Sequence, residues 1–130
     1  RMAESRCSRP SSTSGDRMSD LIYLASPYSS DKPGVSEDRF RRVCKAVACL
    51  MSQGHHVFSP IAHSHPVAQM GDLPTDFEFW RQYDKAIISR CSELWVLTLP
   101  GRSESVGVAA EIEIANRLSI PVRYVEESTP

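Results

Sequence analysis

The sequence has no excess of positive charge, and this limits the class of partner it can bind. It contains 15 Lys and Arg residues against 16 Asp and Glu residues, for a formal net charge of -1. Proteins that bind a nucleic-acid backbone usually carry a strongly basic face, because the charges of the phosphates must be neutralised. We therefore predict no large nucleic acid among the partners of this chain.

Long apolar runs and paired cysteine motifs are missing as well. No stretch of the sequence is apolar for long enough to cross a bilayer, and the first twenty residues lack the apolar core of a signal peptide. The four cysteines show no CxxC spacing, and Cys44 and Cys49 do not share a helix face. We interpret the cysteines as small apolar residues in a reducing compartment. These observations predict no membrane partner and a cytoplasmic location.

The length of 130 residues fits one domain. Residues 1–19 are rich in Ser, Arg and Pro and show no apolar periodicity, so we predict a flexible N-terminal tail followed by a folded domain over residues 20–130. A site in a chain of this size must be shallow or be completed by another subunit. We therefore expect a homo-oligomer.

Short apolar runs alternate with amphipathic segments beyond the tail. The runs at 21–25, 56–59, 94–99 and 120–125 predict buried strands of a parallel sheet. Helices are predicted from an N-cap at Ser36 to Gly54, from a capping box of Thr75 and Glu78 to about Cys91, and from Ser105 to about Leu118. The stretch 60–74 is predicted to be irregular, with no more than a short helical turn.

Strands that alternate with helices in this way predict an α/β fold. We expect a small flavodoxin- or Rossmann-like three-layer α/β/α domain, with a parallel sheet of about four to five strands. In such sheets ligands bind beyond the carboxyl ends of the strands, which directs attention to the loops 26–35, 60–74 and 99–107.

Two carboxylates fall on helix faces that are otherwise apolar. At 100° per residue, Glu111 lies inside the apolar stripe of the last helix, whereas Glu113 lies outside it and can pair with Arg117. Asp84 repeats the anomaly in the preceding helix. A carboxylate seldom lies in such a stripe unless it pairs with a hydrogen-bond donor or a cation, or takes part in the function of the protein. The alternative for each acid is a place at the domain edge, or a pairing with an arginine or a backbone donor.

Two carboxylates around one small polar substrate are typical of glycosidic chemistry, in which one attacks or stabilises the sugar carbon and the other handles a proton. Nearby, Ser105 and Gly107 begin a helix whose free N–H groups favour an anion such as phosphate. Tyr28 could contact sugar or phosphate, or serve only as a turn residue. Arg102 could pair with a phosphate, or lie in solvent.

The segment SVGVAAEIEIA at 105–115 resembles the helix motif of the nucleoside 2-deoxyribosyltransferase-like family. This family includes N-deoxyribosyltransferases and deoxynucleoside 5′-monophosphate N-hydrolases. IYLAS at 22–26 and Asp84 extend the resemblance over most of 21–125, and the sequence is most similar to a small bacterial and phage branch. The resemblance implies that Glu111 is the nucleophile, that Asp84 protonates the departing base, and that Tyr23 holds Glu111 or the sugar oxygen.

The resemblance also bears on substrate binding at Ser105. Ser105 stands where the transferases have Asp and the nucleotide hydrolases have Ser, so the resemblance favours a nucleotide substrate over a nucleoside. The predicted substrate-binding residues are Ser105, Gly107, Ser26, Tyr28, Arg102 and His63.

Four histidines, His55, His56, His63 and His65, raise the question of a metal. No cysteine or carboxylate lies at a matching spacing, so we predict no metal and no cofactor. Trp80 and Trp95 are interpreted as core or interface residues rather than platforms for base stacking.

The leading hypothesis is therefore cleavage or transfer at the N-glycosidic bond of a nucleoside 5′-monophosphate or nucleoside, a small-molecule substrate, through a glycosyl-enzyme intermediate. One alternative is a non-catalytic nucleotide-binding or sensing module. The other is a phosphoribohydrolase of the cytokinin-activating type. The turn at 99–101 resembles a turn of those enzymes, but the glycine-threonine run that follows it in them is absent from this sequence.

Overall fold

The computed structural model describes residues 20–74 and 77–127, and the predicted tail lies outside these residues. The strands are β1 (Ile22–Ala25), β2 (Val57–Phe58), β3 (Glu93–Leu97) and β4 (Val122–Val125). The helices are α1 (Val35–Ser52), α2 (Pro60–Gly71), α3 (Phe77–Ile88) and α4 (Val106–Arg117), and a short 3₁₀ helix (Arg102–Glu104) precedes α4. No helix in the described part of the chain is both long and apolar enough to span a membrane.

The four strands form one sheet in the order β2-β1-β3-β4, and every neighbouring pair is parallel. Successive side chains of a strand point to opposite faces. Ile22 and Leu24 of β1 accordingly join a core with α1, whereas Tyr23 and Ala25 join a core with α3 and α4. The predicted α/β class with its parallel sheet is thus confirmed.

The prediction of an irregular stretch at 60–74 is wrong, because most of it forms α2. The Ser59 hydroxyl accepts a hydrogen bond from the Ala62 amide at 3.0 Å, and Pro60 occupies the first helical position. Proline suits that position because its missing N–H would have no helical partner there. Pro66 is tolerated inside the helix, which ends at Gly71 and is followed by Asp72 in a left-handed conformation.

Several predicted helix ends also differ from the structure. The N-cap of α1 is Gly34, with a φ of 80°, and the Ser36 hydroxyl instead donates a hydrogen bond to the Tyr28 carbonyl. Helix α4 ends at Arg117, one residue before the predicted end at Leu118, which is 44% exposed. Thr75, half of the predicted capping box, lies outside the described residues.

The cysteines depart from their prediction at one position. Cys44 and Cys91 are free, and Cys91 is buried as the prediction of a small apolar residue requires. Cys49 is disulfide-bonded, which corrects its interpretation as an unpaired residue.

Candidate active site

A cavity of about 380 Å³ lies beyond the carboxyl ends of the strands. Its volume is within the usual range for small-molecule pockets. The loops after β1 and β3 and the helices α2, α3 and α4 form its walls. It is lined by Ser26, Tyr28, Ser29, Pro60, Ile61, Ser64, His65, Ala68, Trp80, Asp84, Glu104, Ser105, Val106, Gly107 and Glu111.

Glu111 lies on α4 and is buried, with 5% of its surface exposed. The hydroxyl of Tyr23, from the central strand β1, donates a hydrogen bond to Glu111 Oε2 at 2.7 Å. Tyr23 is fully buried behind the cavity wall. Two residues 88 positions apart in the sequence therefore form one unit at the base of the cavity.

Asp84 enters the same cavity from α3 and is 7% exposed. Its helix packs against α4, the helix of Glu111. Glu113, by contrast, is exposed and forms an ion pair with Arg117 at 2.8 Å. The structure thus brings together Glu111, Asp84 and Tyr23 and leaves Glu113 in solvent.

Both acids have raised pKa values because burial penalises their charged forms. Burial raises the pKa of Glu111 to about 8; the Tyr23 hydroxyl opposes this effect, and the negative charge of Asp84 adds to it. Burial also raises the pKa of Asp84 to about 6, again with Tyr23 opposing. Since the two acids influence each other, these values describe the pair rather than two independent groups.

Ser105 and Gly107 line the cavity at the start of α4. The Ser105 hydroxyl caps this helix by accepting a hydrogen bond from the Val108 amide at 3.1 Å. Ser26 follows β1, and its buried hydroxyl oxygen has no hydrogen-bond partner among the residues that the structure describes. Buried polar atoms are nearly always paired, so an unpaired one beside a cavity is a candidate ligand contact.

Two predicted site residues lie elsewhere. His63 stacks on Tyr83, with ring centroids 5.6 Å apart, and is not among the residues that line the cavity. Arg102 lies over the ring of Tyr124 at 5.2 Å and does not line the cavity either. His63 is misplaced because 60–71 is a helix, in which residues two positions apart point in nearly opposite directions.

His65 occupies the place predicted for His63. It is 6% exposed, lines the cavity, and contacts both Tyr28 and Glu37. Recognising Ser59 as an N-cap would have indicated this residue, because a helix starting at Pro60 places His65 on the inner face with Ala68.

The two tryptophans have different environments. Trp95 is buried in the core, at 4% exposed, which agrees with its prediction. Trp80 lines the cavity instead, one helical turn before Asp84, and its indole N–H donates a hydrogen bond to the Pro74 carbonyl at 2.8 Å. The spacing of four residues on α3 places Trp80 and Asp84 on one face.

The charges around the cavity are of one sign. Asp84, Glu104 and Glu111 are carboxylates, and no lysine or arginine is present among the described residues that line it. Within the same described part of the chain, no group of three or more His, Cys, Asp or Glu side chains is arranged to hold a metal ion.

The chain matches one protein-family model and is similar in structure to a known enzyme. A family model described as a domain of unknown function, DUF1937, matches residues 20–127. The structure is similar to that of a 2-deoxyribosyltransferase from the psychrotolerant bacterium Bacillus psychrosaccharolyticus, with a TM-score of 0.53 and 25% sequence identity over 85% of this chain and 74% of that chain. No curated protein is significantly similar in sequence. The resemblance to 2-deoxyribosyltransferases is confirmed at the level of the fold, and the bacterial and phage branch stays a prediction.

Proposed function

The chain belongs to the DUF1937 family, and from its similarity to a 2-deoxyribosyltransferase we propose that it cleaves or transfers the N-glycosidic bond of a nucleoside or nucleoside 5′-monophosphate. One observation carries the proposal: two buried carboxylates, Glu111 and Asp84, open into the same cavity, and Tyr23 binds one of them. Paired carboxylates of this kind perform nucleophilic and acid–base catalysis at a glycosidic carbon.

In the first step a Glu111 oxygen attacks the anomeric carbon of the sugar while the carbon–nitrogen bond to the base breaks. The base leaves with that electron pair and takes a proton from Asp84. In the second step water or another base attacks the same carbon, Asp84 receives the proton of the incoming group, and Glu111 leaves. The Tyr23 hydroxyl stabilises the Glu111 carboxylate, both before attack and when it departs.

This two-step reaction requires one proton on the pair of acids. Between a pH of about 6 and a pH of about 8, the raised pKa values leave one proton shared by Asp84 and Glu111. In the empty cavity, burial favours this proton on Glu111, whereas the reaction needs it on Asp84. The positive charge that develops at the anomeric carbon and the Tyr23 hydrogen bond both favour an ionised Glu111, so substrate binding shifts the proton towards Asp84.

The charge of the cavity favours the nucleoside over the nucleotide. A 5′-phosphate would have to lie beside Asp84, Glu104 and Glu111, which stay negative in sum with one proton on the buried pair, and no lysine or arginine is present among the described residues of the lining. The N-terminus of α4 offsets only part of this repulsion, because a helix terminus acts as about half a positive charge and Glu104 lies two residues before it. The unpaired Ser26 hydroxyl can form a hydrogen bond with a sugar hydroxyl group as well as with a phosphate oxygen.

The proposal is tested by incubating the protein with matched nucleosides and nucleoside 5′-monophosphates and measuring free base by chromatography. We expect base release, faster from the nucleoside of each pair, and a loss of at least about a thousandfold in kcat for Glu111→Ala, since the nucleophile is removed. Glu113→Ala is the matched control, because Glu113 is exposed and pairs only with Arg117 within the described residues; its rate should equal that of the wild type.

The alternatives give different results in the same experiment. Binding of nucleotides in calorimetry without any base release would favour the non-catalytic binding module. Release of base only from 5′-monophosphates of ribose would favour the phosphoribohydrolase.

A further inference from the structure

Three side chains from separate elements form a hydrogen-bonded chain at the cavity wall. The Tyr28 hydroxyl, in the loop after β1, lies 2.5 Å from His65 Nδ1 on α2. His65 Nε2 in turn lies 2.9 Å from Glu37 Oε1 in the first turn of α1. The Phe40 ring stacks on the imidazole, with centroids 4.1 Å apart, so the orientation of His65 is fixed.

The carboxylate sets the direction of these hydrogen bonds. Glu37 also binds the guanidinium of Arg41 at 3.2 Å, as expected of an ionised carboxylate, which can only accept hydrogen bonds. His65 Nε2 must therefore carry the proton that Glu37 accepts. In the neutral imidazole, Nδ1 is then an acceptor, and the Tyr28 hydroxyl donates to it.

Tyr28 keeps this proton. Burial and the negative charge of Glu37 both raise the pKa of the phenol, so it stays un-ionised at neutral pH. Its single proton is committed to His65, and only the lone pairs of its oxygen are available to a ligand. Tyr28 and His65 line the main cavity and also an adjoining cavity of about 390 Å³, so the phenol lies where the two meet.

We propose that Tyr28, oriented by His65 and Glu37, presents its phenol oxygen to the substrate as a hydrogen-bond acceptor. It thereby selects substrates that carry an uncharged N–H or O–H donor on that side, either the exocyclic amino group of a base or a hydroxyl of the sugar. This inference rests on the proposed function for the identity of the substrate. A phosphate oxygen offers no such proton, so an anionic group is disfavoured beside Tyr28.

The size of the selectivity follows from the cost of an unpaired polar group. A substrate without the donor forms no hydrogen bond to the phenol oxygen, and such a loss corresponds to about tenfold in affinity. His65 and Glu37 act as positioning residues in this scheme, because one ring nitrogen of His65 holds the Tyr28 hydroxyl and the other is held by Glu37.

The test compares dissociation constants by calorimetry for two pairs of ligands. One pair is an adenine nucleoside and the same nucleoside of unsubstituted purine, which lacks the amino group. The other is a 2′-deoxynucleoside and its 2′,3′-dideoxy analogue, which lacks a hydroxyl. Each is measured with the wild type, with Tyr28→Phe and with Tyr83→Phe; the last is a matched control because its hydroxyl also binds a histidine, His63, at 3.0 Å, but away from the cavity lining.

We expect the wild type to bind the donor-bearing member of one pair about tenfold more tightly. Tyr28→Phe should reduce this ratio to about one by weakening only the donor-bearing ligand, and Tyr83→Phe should preserve it. The pair that responds identifies the donor as amino group or hydroxyl. An unchanged ratio in Tyr28→Phe, or no binding of any of the four ligands to the wild type, would overturn the proposal for Tyr28.

Two further readouts separate the possible failures. The nitrogen chemical shifts of His65 should show a neutral ring protonated at Nε2, and a ring protonated at Nδ1 would contradict the direction of the hydrogen bonds. Base release is recorded in parallel. Selective binding without base release would refute the proposed function and leave the role of Tyr28 intact, whereas base release with an unchanged ratio would refute only the role of Tyr28.

Discussion

At the scale of single residues, Glu111 shows how a fold can carry a functional group that opposes its stability. Its helix position places it in the apolar interior, where it is 5% exposed, and Tyr23 is its hydrogen-bond donor. The periodicity of α4 was sufficient to predict this burial and to separate Glu111 from Glu113. The periodicity of one helix could not predict the contact with Tyr23, because this contact depends on how α4 packs against the sheet.

The raised pKa of Glu111 predicts a pH-dependent stability. The folded protein holds the Glu111 proton up to a pH of about 8, whereas the unfolded chain releases it near its usual value of 4.5. Stability from this group is therefore complete below 4.5 and is lost as the pH rises through about 8. Glu111→Gln removes the titration, so its free energy of unfolding should exceed that of the wild type at pH 9 by several kcal/mol, and by much less at pH 5.

Urea denaturation at the two pH values measures this difference, and Glu113→Gln supplies the control with an exposed carboxylate. A difference between Glu111→Gln and the wild type that does not change with pH would show that the Glu111 pKa is not raised.

At the scale of elements, helix α2 marks the limit of what the local sequence could predict. Apolar periodicity predicts the other helices, and α4 also begins at the expected N-cap, Ser105. In α2, Pro60 occupies the first helical position, which suits proline, and Pro66 lies inside the helix. The sequence analysis selected His63, whereas His65 lines the cavity, because the prediction missed helix α2. Arg102 was misplaced for a different reason, since its contact with Tyr124 joins distant parts of the chain.

The Ser59 cap is predicted to hold α2 in place. Ser59 is 4% exposed and its hydroxyl accepts a hydrogen bond from the Ala62 amide, so Ser59→Ala leaves this part-buried N–H without its capping partner. We expect a loss of about 1 kcal/mol in the free energy of unfolding, together with weaker nucleoside binding because α2 carries His65. Thermal unfolding monitored by circular dichroism measures the first effect.

The matched control for the cap is Ser89→Ala, which removes an exposed hydroxyl that donates to the Ala86 carbonyl at the end of α3. Its melting temperature should stay within about 1 °C of the wild type. Equal melting temperatures for Ser59→Ala and Ser89→Ala would contradict the role of the cap.

At the scale of the whole molecule, the topology assembles the candidate site. The parallel order β2-β1-β3-β4 brings the carboxyl ends of the strands to one edge, and the packing of α3 against α4 brings Asp84 and Glu111 to one cavity. The rule for parallel sheets predicted the edge, and the anomalies in two apolar stripes predicted the acids. The homo-oligomer and the cytoplasmic location stay predictions.

The central claim is that Glu111 forms a covalent bond to the sugar, and mass spectrometry of the quenched protein tests it most directly. Fluorine at the 2′ position of the nucleoside sugar slows both steps, because it destabilises the positive charge that develops at the anomeric carbon, and a base that leaves readily keeps the first step the faster of the two. We predict that the intact protein gains the mass of the fluorinated sugar, that the gain maps to the peptide containing Glu111, and that Glu111→Gln shows none. Base release without any adduct, or an adduct on a different residue, would contradict the account.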